Sequence, residues 1–312
     1  MKVLLVDNGS LEPAVVLALR EVARRLAQRV GRPIFPVSLA HSDKIPAAAL
    51  GGVAAQCVES FLREELERAD PCERVCGDER AGEAGKREFV IVPFFIGPSR
   101  AVTRALPKLI DTLRGEFPHL RVRIAPVLHA AGDDTLARIL ADRVHRVLSE
   151  IGKAEKTPVL SGEPETGGRV RVALVDHGSP AREVTAVRDE VAAQLAALLS
   201  GDTRVAEVAA CSMERRPGAD YAFNEPLLET QLAREQWRDS AGGRPLIIVA
   251  QLFLLPGRHA GPSGDIAQIC ARAAEAAGVD AVLASVRTVQ TEPLATHPLI
   301  VELLAQRFAA VR

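Results

Sequence analysis

Short β-branched runs alternate with longer amphipathic segments from one end of this chain to the other, and that order restricts the fold more than any other feature. A strand, a helical pattern and another strand in succession require crossover connections, so the alternation predicts parallel sheets covered by helices. The strands of the first half are expected at 3–7, 34–39, 89–95 and 122–127. Those of the second half are expected at 170–176, 203–210, 246–254 and 280–286. Each is followed by a helical pattern.

The two halves match in residues as well as in order. Val6-Asp7-Asn8-Gly9-Ser10 reappears as Val175-Asp176-His177-Gly178-Ser179, and Pro98-Ser99-Arg100-Ala101 answers Pro256-Gly257-Arg258-His259. An internal duplication follows: one α/β domain over 1–151, a polar linker rich in Pro and Gly over 152–168, and a second α/β domain over 169–312. Two copies are too few for a solenoid, so the expected arrangement is two facing domains with a ligand cleft between them. The charged, Gly-containing stretch 70–86 reads as a surface loop.

Composition narrows the function. With 47% hydrophobic residues in 312, the chain can bury a large core, and 39 Lys+Arg against 40 Asp+Glu leave a net charge of only −1. Such a balance argues against a nucleic-acid-binding surface or a polybasic membrane tether. The longest apolar stretch, 246–255, is interrupted by Gln251 and ends at Pro256, well short of the roughly 20 residues a membrane span needs. An odd set of five cysteines, and an acidic residue soon after Met1, lead to the expectation of a cytoplasmic chain without disulfides. Cys57 and Cys270 fall on apolar helical positions, Cys72 and Cys76 read as free thiols, and Cys211 is placed near the cleft.

Ligands of open parallel sheets bind beyond the carboxyl ends of the strands, where strand order reverses. The loops after the first and third strands of each half are therefore the places to search. In the second half they carry His177 and His259; in the first, Asn8 and Ala101 stand there instead. A neutral imidazole can ligate a borderline divalent ion and can also move a proton near neutrality. A solitary loop histidine commonly does no more than satisfy local hydrogen bonds. Pairing in one copy with absence from the other points to chemistry. No strand is followed by Gly-x-Gly-x-x-Gly and no Gly-x-x-x-x-Gly-Lys-Ser/Thr loop occurs, which disfavours a dinucleotide enzyme or a nucleotide hydrolase.

Three motifs, Asp176-His177-Gly178-Ser179, Gly257-Arg258-His259 and Thr296-His297-Pro298-Leu299, together resemble the class II chelatases. That family inserts cobalt or iron into sirohydrochlorin, a carboxylate-rich tetrapyrrole precursor of cobalamin and sirohaem. The resemblance implies that His177 and His259 are the metal-binding and proton-accepting pair, and that the first half is a degenerate copy. It implies a third, oxygen ligand from Glu214 or Glu225, either of which reads equally well as a solvated acid. An anionic tetrapyrrole substrate further implies guanidinium groups and helix starts around it: Arg182, Arg215, Arg216 and Arg258, with Ser179 and Ser263, and Ser10 and Arg100 as first-half counterparts. Helix capping is the simpler role for the serines. Co2+ or Fe2+ would be a substrate, with no organic cofactor, no nucleic-acid partner and no membrane partner; oligomeric state is left open. A non-catalytic tetrapyrrole or metal carrier would use the same residues. His297 reads as a rim or a turn residue, and His41, His119, His129 and His145 as surface or packing residues.

Overall fold

A computed structural model describes residues 1–68, 88–154, 169–238, 245–275 and 286–311. In the first half, β1 (Lys2–Asp7), β2 (Ile34–Ser38), β3 (Glu88–Pro93) and β4 (Arg121–Ile124) form a parallel sheet in the order β2-β1-β3-β4. The central strands are continuous apolar runs, Val3 to Val6 and Phe89 to Val92, because helices cover both of their faces. At the edge, β4 reads Arg-Val-Arg-Ile and leaves Arg121 exposed. The helices are α1 (Pro13–Val30), α2 (Val58–Glu67), α3 (Leu106–Glu116) and α4 (Thr135–Ala154). Helix α1 has Pro13 in its first turn and ends at a left-handed Gly31, a start and stop that the residue types dictate.

The second half repeats the pattern. Strands β5 (Val170–Asp176), β6 (Val205–Ser212), β7 (Leu246–Gln251) and β8 (Arg287–Gln290) are parallel in the order β6-β5-β7-β8. With them go α5 (Arg182–Leu199), α6 (Leu228–Ala233), α7 (Glu235–Arg238), α8 (Asp265–Glu275) and α9 (Pro298–Ala309). The expected fold class, two α/β copies each built on a helix-flanked parallel sheet, is the one observed.

Strand ends differ from expectation where pairing register overrides the apolar pattern. The last described strand, Arg287–Gln290, pairs with β7 from Leu246 onward and extends past the expected end at 286; of the expected span, 280–285 lie outside the described residues, and Val286 is buried just before the ladder. Strand β6 runs on to Ser212 because Cys211 and Ser212 still pair with Val175 and Asp176. Cys211 is consequently buried inside the sheet, its thiol donating to the Leu174 carbonyl at 3.4 Å, and burial raises its pKa; it is not at a cleft. Cys57 is the residue that precedes α2, half-buried and bridged to Ser38, not a position on a helix face. Cys270 is core, as expected.

Packing divides the chain differently from the duplication. One compact unit is Met1–Ala130 together with Pro298–Arg312, and the other is Ala131–His297. Helix α4, the last of the first half, therefore packs on α5 and β7, while α9 packs on α1 and β3. Both helices have an apolar stripe to bury: Leu136, Ile139, Leu140, Val144 and Leu148 in α4, Ile300, Val301, Leu303, Leu304 and Phe308 in α9. The expected linker begins within the end of α4, and 155–168 lie outside the described residues, as do 70–86 with Cys72 and Cys76. No helix among the described residues is long and apolar enough to cross a membrane.

Candidate functional site

Strand order in the second sheet reverses between β5 and β7, and the loops leaving those two strands carry His177 and His259. Their rings meet edge to face, with centroids 4.7 Å apart and planes at 76°. Both are partly open to solvent, at 47% and 32% of their side-chain surface.

The His177 loop is held from beneath. Asp176 ends β5 buried, accepting from the Ser212 hydroxyl at 2.6 Å and from the Gly178 amide at 3.1 Å. Burial raises its pKa in spite of those bonds and of the nearby Arg188. Arg188, itself buried, donates to Ser212 Oγ at 2.6 Å and to the Asn224 carbonyl at 2.9 Å. Fully buried Asn224 then clamps the loop from the side: its Oδ1 accepts from the Ser179 amide at 2.9 Å and the Thr185 hydroxyl at 3.1 Å, and its Nδ2 donates to the Ser179 carbonyl at 3.0 Å. Gly178 has a φ of +88°, and a Cβ there would lie 1.9 Å from the Glu214 carbonyl oxygen. Only glycine permits that approach, which sets Glu214 beside His177, Oε1 to Nε2, at 3.5 Å.

Each imidazole has an acceptor at Nδ1. For His177 it is the Gly178 carbonyl at 3.0 Å, for His259 the Asp265 carboxylate at 2.6 Å. Neither oxygen can donate when the carboxylate is ionised, so both rings are assigned a proton on Nδ1 and a lone pair on Nε2. A pair of such nitrogens can bind a divalent ion or take up a proton. Among the described residues, no group of three or more His, Cys, Asp or Glu side chains is arranged to hold a metal ion. The imidazoles with Glu214 alongside form an open arrangement, not a closed one.

The other expected residues spread around this centre. Glu225 accepts from Arg215 at 2.5 Å and from the Leu227 amide at 3.0 Å, so both of its oxygens serve the loop after β6. Arg215 also donates to the carbonyls of Arg216 and Gly218. Arg182 lies 4.5 Å over the Phe223 ring and Arg216 5.9 Å over that of Tyr221. Arg258 is 79% exposed, 3.8 Å from Asp265. Ser179 accepts from the Ala181 amide and Ser10 from that of Glu12, the same turn in both copies; Ser263 is exposed before α8. Exposed Arg100 precedes a π-helical turn at Ala101–Ala105. Ser10 and Arg100 belong to the first unit, the remaining residues to the second. His297 is a turn residue before α9, its Nε2 3.3 Å from Asp142.

Spacing and motif assign no role to Asp176, Arg188, Asn224 or Asp265, although Asp176 lies within the motif that carries His177. The repetition of Asp176 as Asp7 at a strand end was a legible signal; nothing in the spacing pointed to the other three.

The first unit keeps the frame and lacks the groups. Gly9 has a φ of +87°, and a Cβ there would lie 1.8 Å from the Ala40 carbonyl oxygen. Asn8, Ala40 and Ala101 thus stand where the second unit has His177, Glu214 and His259. Leu19 of α1 stands where α5 has Arg188, and Asp7, without that counter-charge, has its pKa pushed up to about 6 by burial.

The family model CbiX matches residues 66–147 and 171–311, over two thirds of the chain. Among solved structures, SirB from Bacillus subtilis with Fe3+ superposes with a TM-score of 0.59 at 13% identity, covering 100% of this chain and 96% of that one. SirB from Bacillus subtilis subspecies spizizenii, a sirohydrochlorin chelatase in complex with cobalt, gives 0.57 at 12% identity, covering 100% and 95%. CbiX, described as the terminal enzyme for biosynthesis of siroheme in denitrifying bacteria, gives 0.52 at 17% identity, covering 100% of both chains. No curated protein matches the chain significantly. At these identities the superpositions bear on the fold.

Proposed function

The chain belongs to the CbiX family, and from that premise we propose that it is a metallochelatase that inserts Co2+ or Fe2+ into sirohydrochlorin or a similarly carboxylate-rich tetrapyrrole. The observation that carries this reading is the convergence of His177 and His259, from two separate loops, on one opening with ring centroids 4.7 Å apart.

The chemistry asks for this arrangement. Placing a divalent ion in a free-base macrocycle expels two pyrrole protons, so the site must supply a lone pair to hold the incoming ion and acceptors, on the protein or in solvent, for both protons. One Nε2 can hold the ion and the other take a proton, since both rings are assigned their hydrogen on Nδ1, and the Glu214 carboxylate beside His177 supplies an oxygen ligand or an acceptor for the second proton. A closed tetrahedral set would retain the ion; an open pair with one carboxylate can release it. Imidazole and carboxylate suit cobalt and ferrous iron alike. The cationic side chains of Arg182, Arg216 and Arg258 are candidates to meet the substrate's carboxylates.

Purified protein mixed with sirohydrochlorin and either ion, followed by the macrocycle's absorption, tests the proposal. Acceleration over the spontaneous reaction is expected, with a loss of roughly 10²–10³-fold in His177→Ala and His259→Ala, the size usual for removing an acid–base group. Macrocycle binding without acceleration would make the protein a carrier.

A further inference from the structure

We propose that Asp265 is a positioning residue for His259, holding its ring so that Nε2 presents a lone pair toward His177. The inference rests on the chelatase reading for its purpose, but not for its geometry. Asp265 Oδ2 lies 2.6 Å from His259 Nδ1, the shortest contact either imidazole makes among the described residues.

The backbone is built to bring these two together. Asp265 opens α8, six residues after His259, and the intervening loop folds back on itself: the Asp265 amide donates to the Arg258 carbonyl at 3.3 Å, and the Ile266 amide to the His259 carbonyl at 3.2 Å. Gly264 makes the fold possible, since a Cβ there would lie 2.6 Å from the carbonyl oxygens of both Arg258 and His259. The carboxylate's cationic neighbour, Arg258, stands off at 3.8 Å and is mostly in solvent, so the imidazole is its close partner.

The two histidines are held unequally. His177 Nδ1 has only a neutral carbonyl of its own loop, whereas His259 has a carboxylate from a helix. In the first unit, the imidazole and its carboxylate are missing together: Ala101 occupies the His259 position, and the following helix opens Leu106-Pro107-Lys108. A carboxylate accepting from a ring N–H fixes tautomer and orientation and strengthens the other nitrogen as a ligand. His259 is thereby the pre-set member of the pair, and His177 the adaptable one.

The test needs no tetrapyrrole. In protein carrying 15N-labelled histidine, two-bond ring correlations at mildly alkaline pH should show His259 with its proton on Nδ1, and Asp265→Ala should convert it to a mixture or to the Nε2–H form while leaving His177 unchanged. Titration with Co2+ alone, read by its d–d absorption, should show the same variant binding 10–100-fold more weakly, at an unchanged thermal unfolding midpoint. Should Asp265→Ala fail to fold, Asp265→Asn carries the Co2+ arm with a smaller loss. An Nε2–H tautomer in the wild type, or wild-type Co2+ affinity in the variant that folds, overturns the proposal. A wild-type protein with the expected tautomer and Co2+ response but no insertion activity counts against the chelatase reading alone.

Discussion

Asp7 and Asp176 occupy the same strand-end position, and their difference shows how one neighbour sets the behaviour of a buried acid. Asp176 has Arg188 nearby; Asp7 has Leu19 in its place and a buried Oδ1 without a partner among the described residues. Its pKa, pushed up to about 6 from 3.8, means that between those pH values the native state holds a proton the unfolded chain has released. Stability contributed by this group is therefore lost as pH rises through that window, by up to about 3 kcal/mol. Asp7→Asn abolishes the loss: urea unfolding should find it about 1–3 kcal/mol more stable than wild type at pH 7.5 and similar to wild type near pH 4. The reverse order would refute the assignment. At this scale the sequence exposed the imidazoles, because loops after particular strands are searchable, but not Asn224 or Asp265, whose partners are chosen by folding.

Among elements, the loops carrying the histidines depend on backbone that no side chain can occupy. Gly178→Ala would place a Cβ 1.9 Å from the Glu214 carbonyl oxygen at a positive φ, and is expected to cost about 2–4 kcal/mol and to displace His177. Gly115→Ala, in α3 with open space around it, should be neutral or stabilise by up to about 1 kcal/mol; paired thermal melts of the two variants check the contrast. Asn224→Ala leaves the Ser179 amide and carbonyl without their partner. At about 1–3 kcal/mol for each unsatisfied buried group, it should both destabilise the protein and weaken Co2+ binding in a direct titration. The strands themselves were legible as apolar runs; their ends were not, because a ladder stops where its partner does.

In the whole molecule the decisive feature is the exchange of terminal helices, α4 to the second sheet and α9 to the first. Five apolar side chains of α9 are buried on the first unit, and at about 1.5–3 kcal/mol each their gross burial rivals the net stability of an ordinary domain. Truncation after His297 should therefore unfold the first unit, visible as lost cooperativity and bound hydrophobic dye. Halves expressed separately, 1–151 and 169–312, should each be poorly folded by circular dichroism and recover cooperative unfolding when refolded together. Independent folding of both halves would mean that the exchange carries little energy.

From the sequence alone came the parallel α/β class, the duplication, and the placing of two histidines at the strand-order reversal, since periodicity and strand-end position are local properties of a chain. Which sheet receives α4 or α9 was left to the tertiary structure. An apolar stripe states that a helix must be covered but not by what, and two copies of one fold offer it nearly equivalent faces. The carboxylate beside His259 and the amide beneath His177 were decided in the same way, by contacts that exist only once distant segments have met.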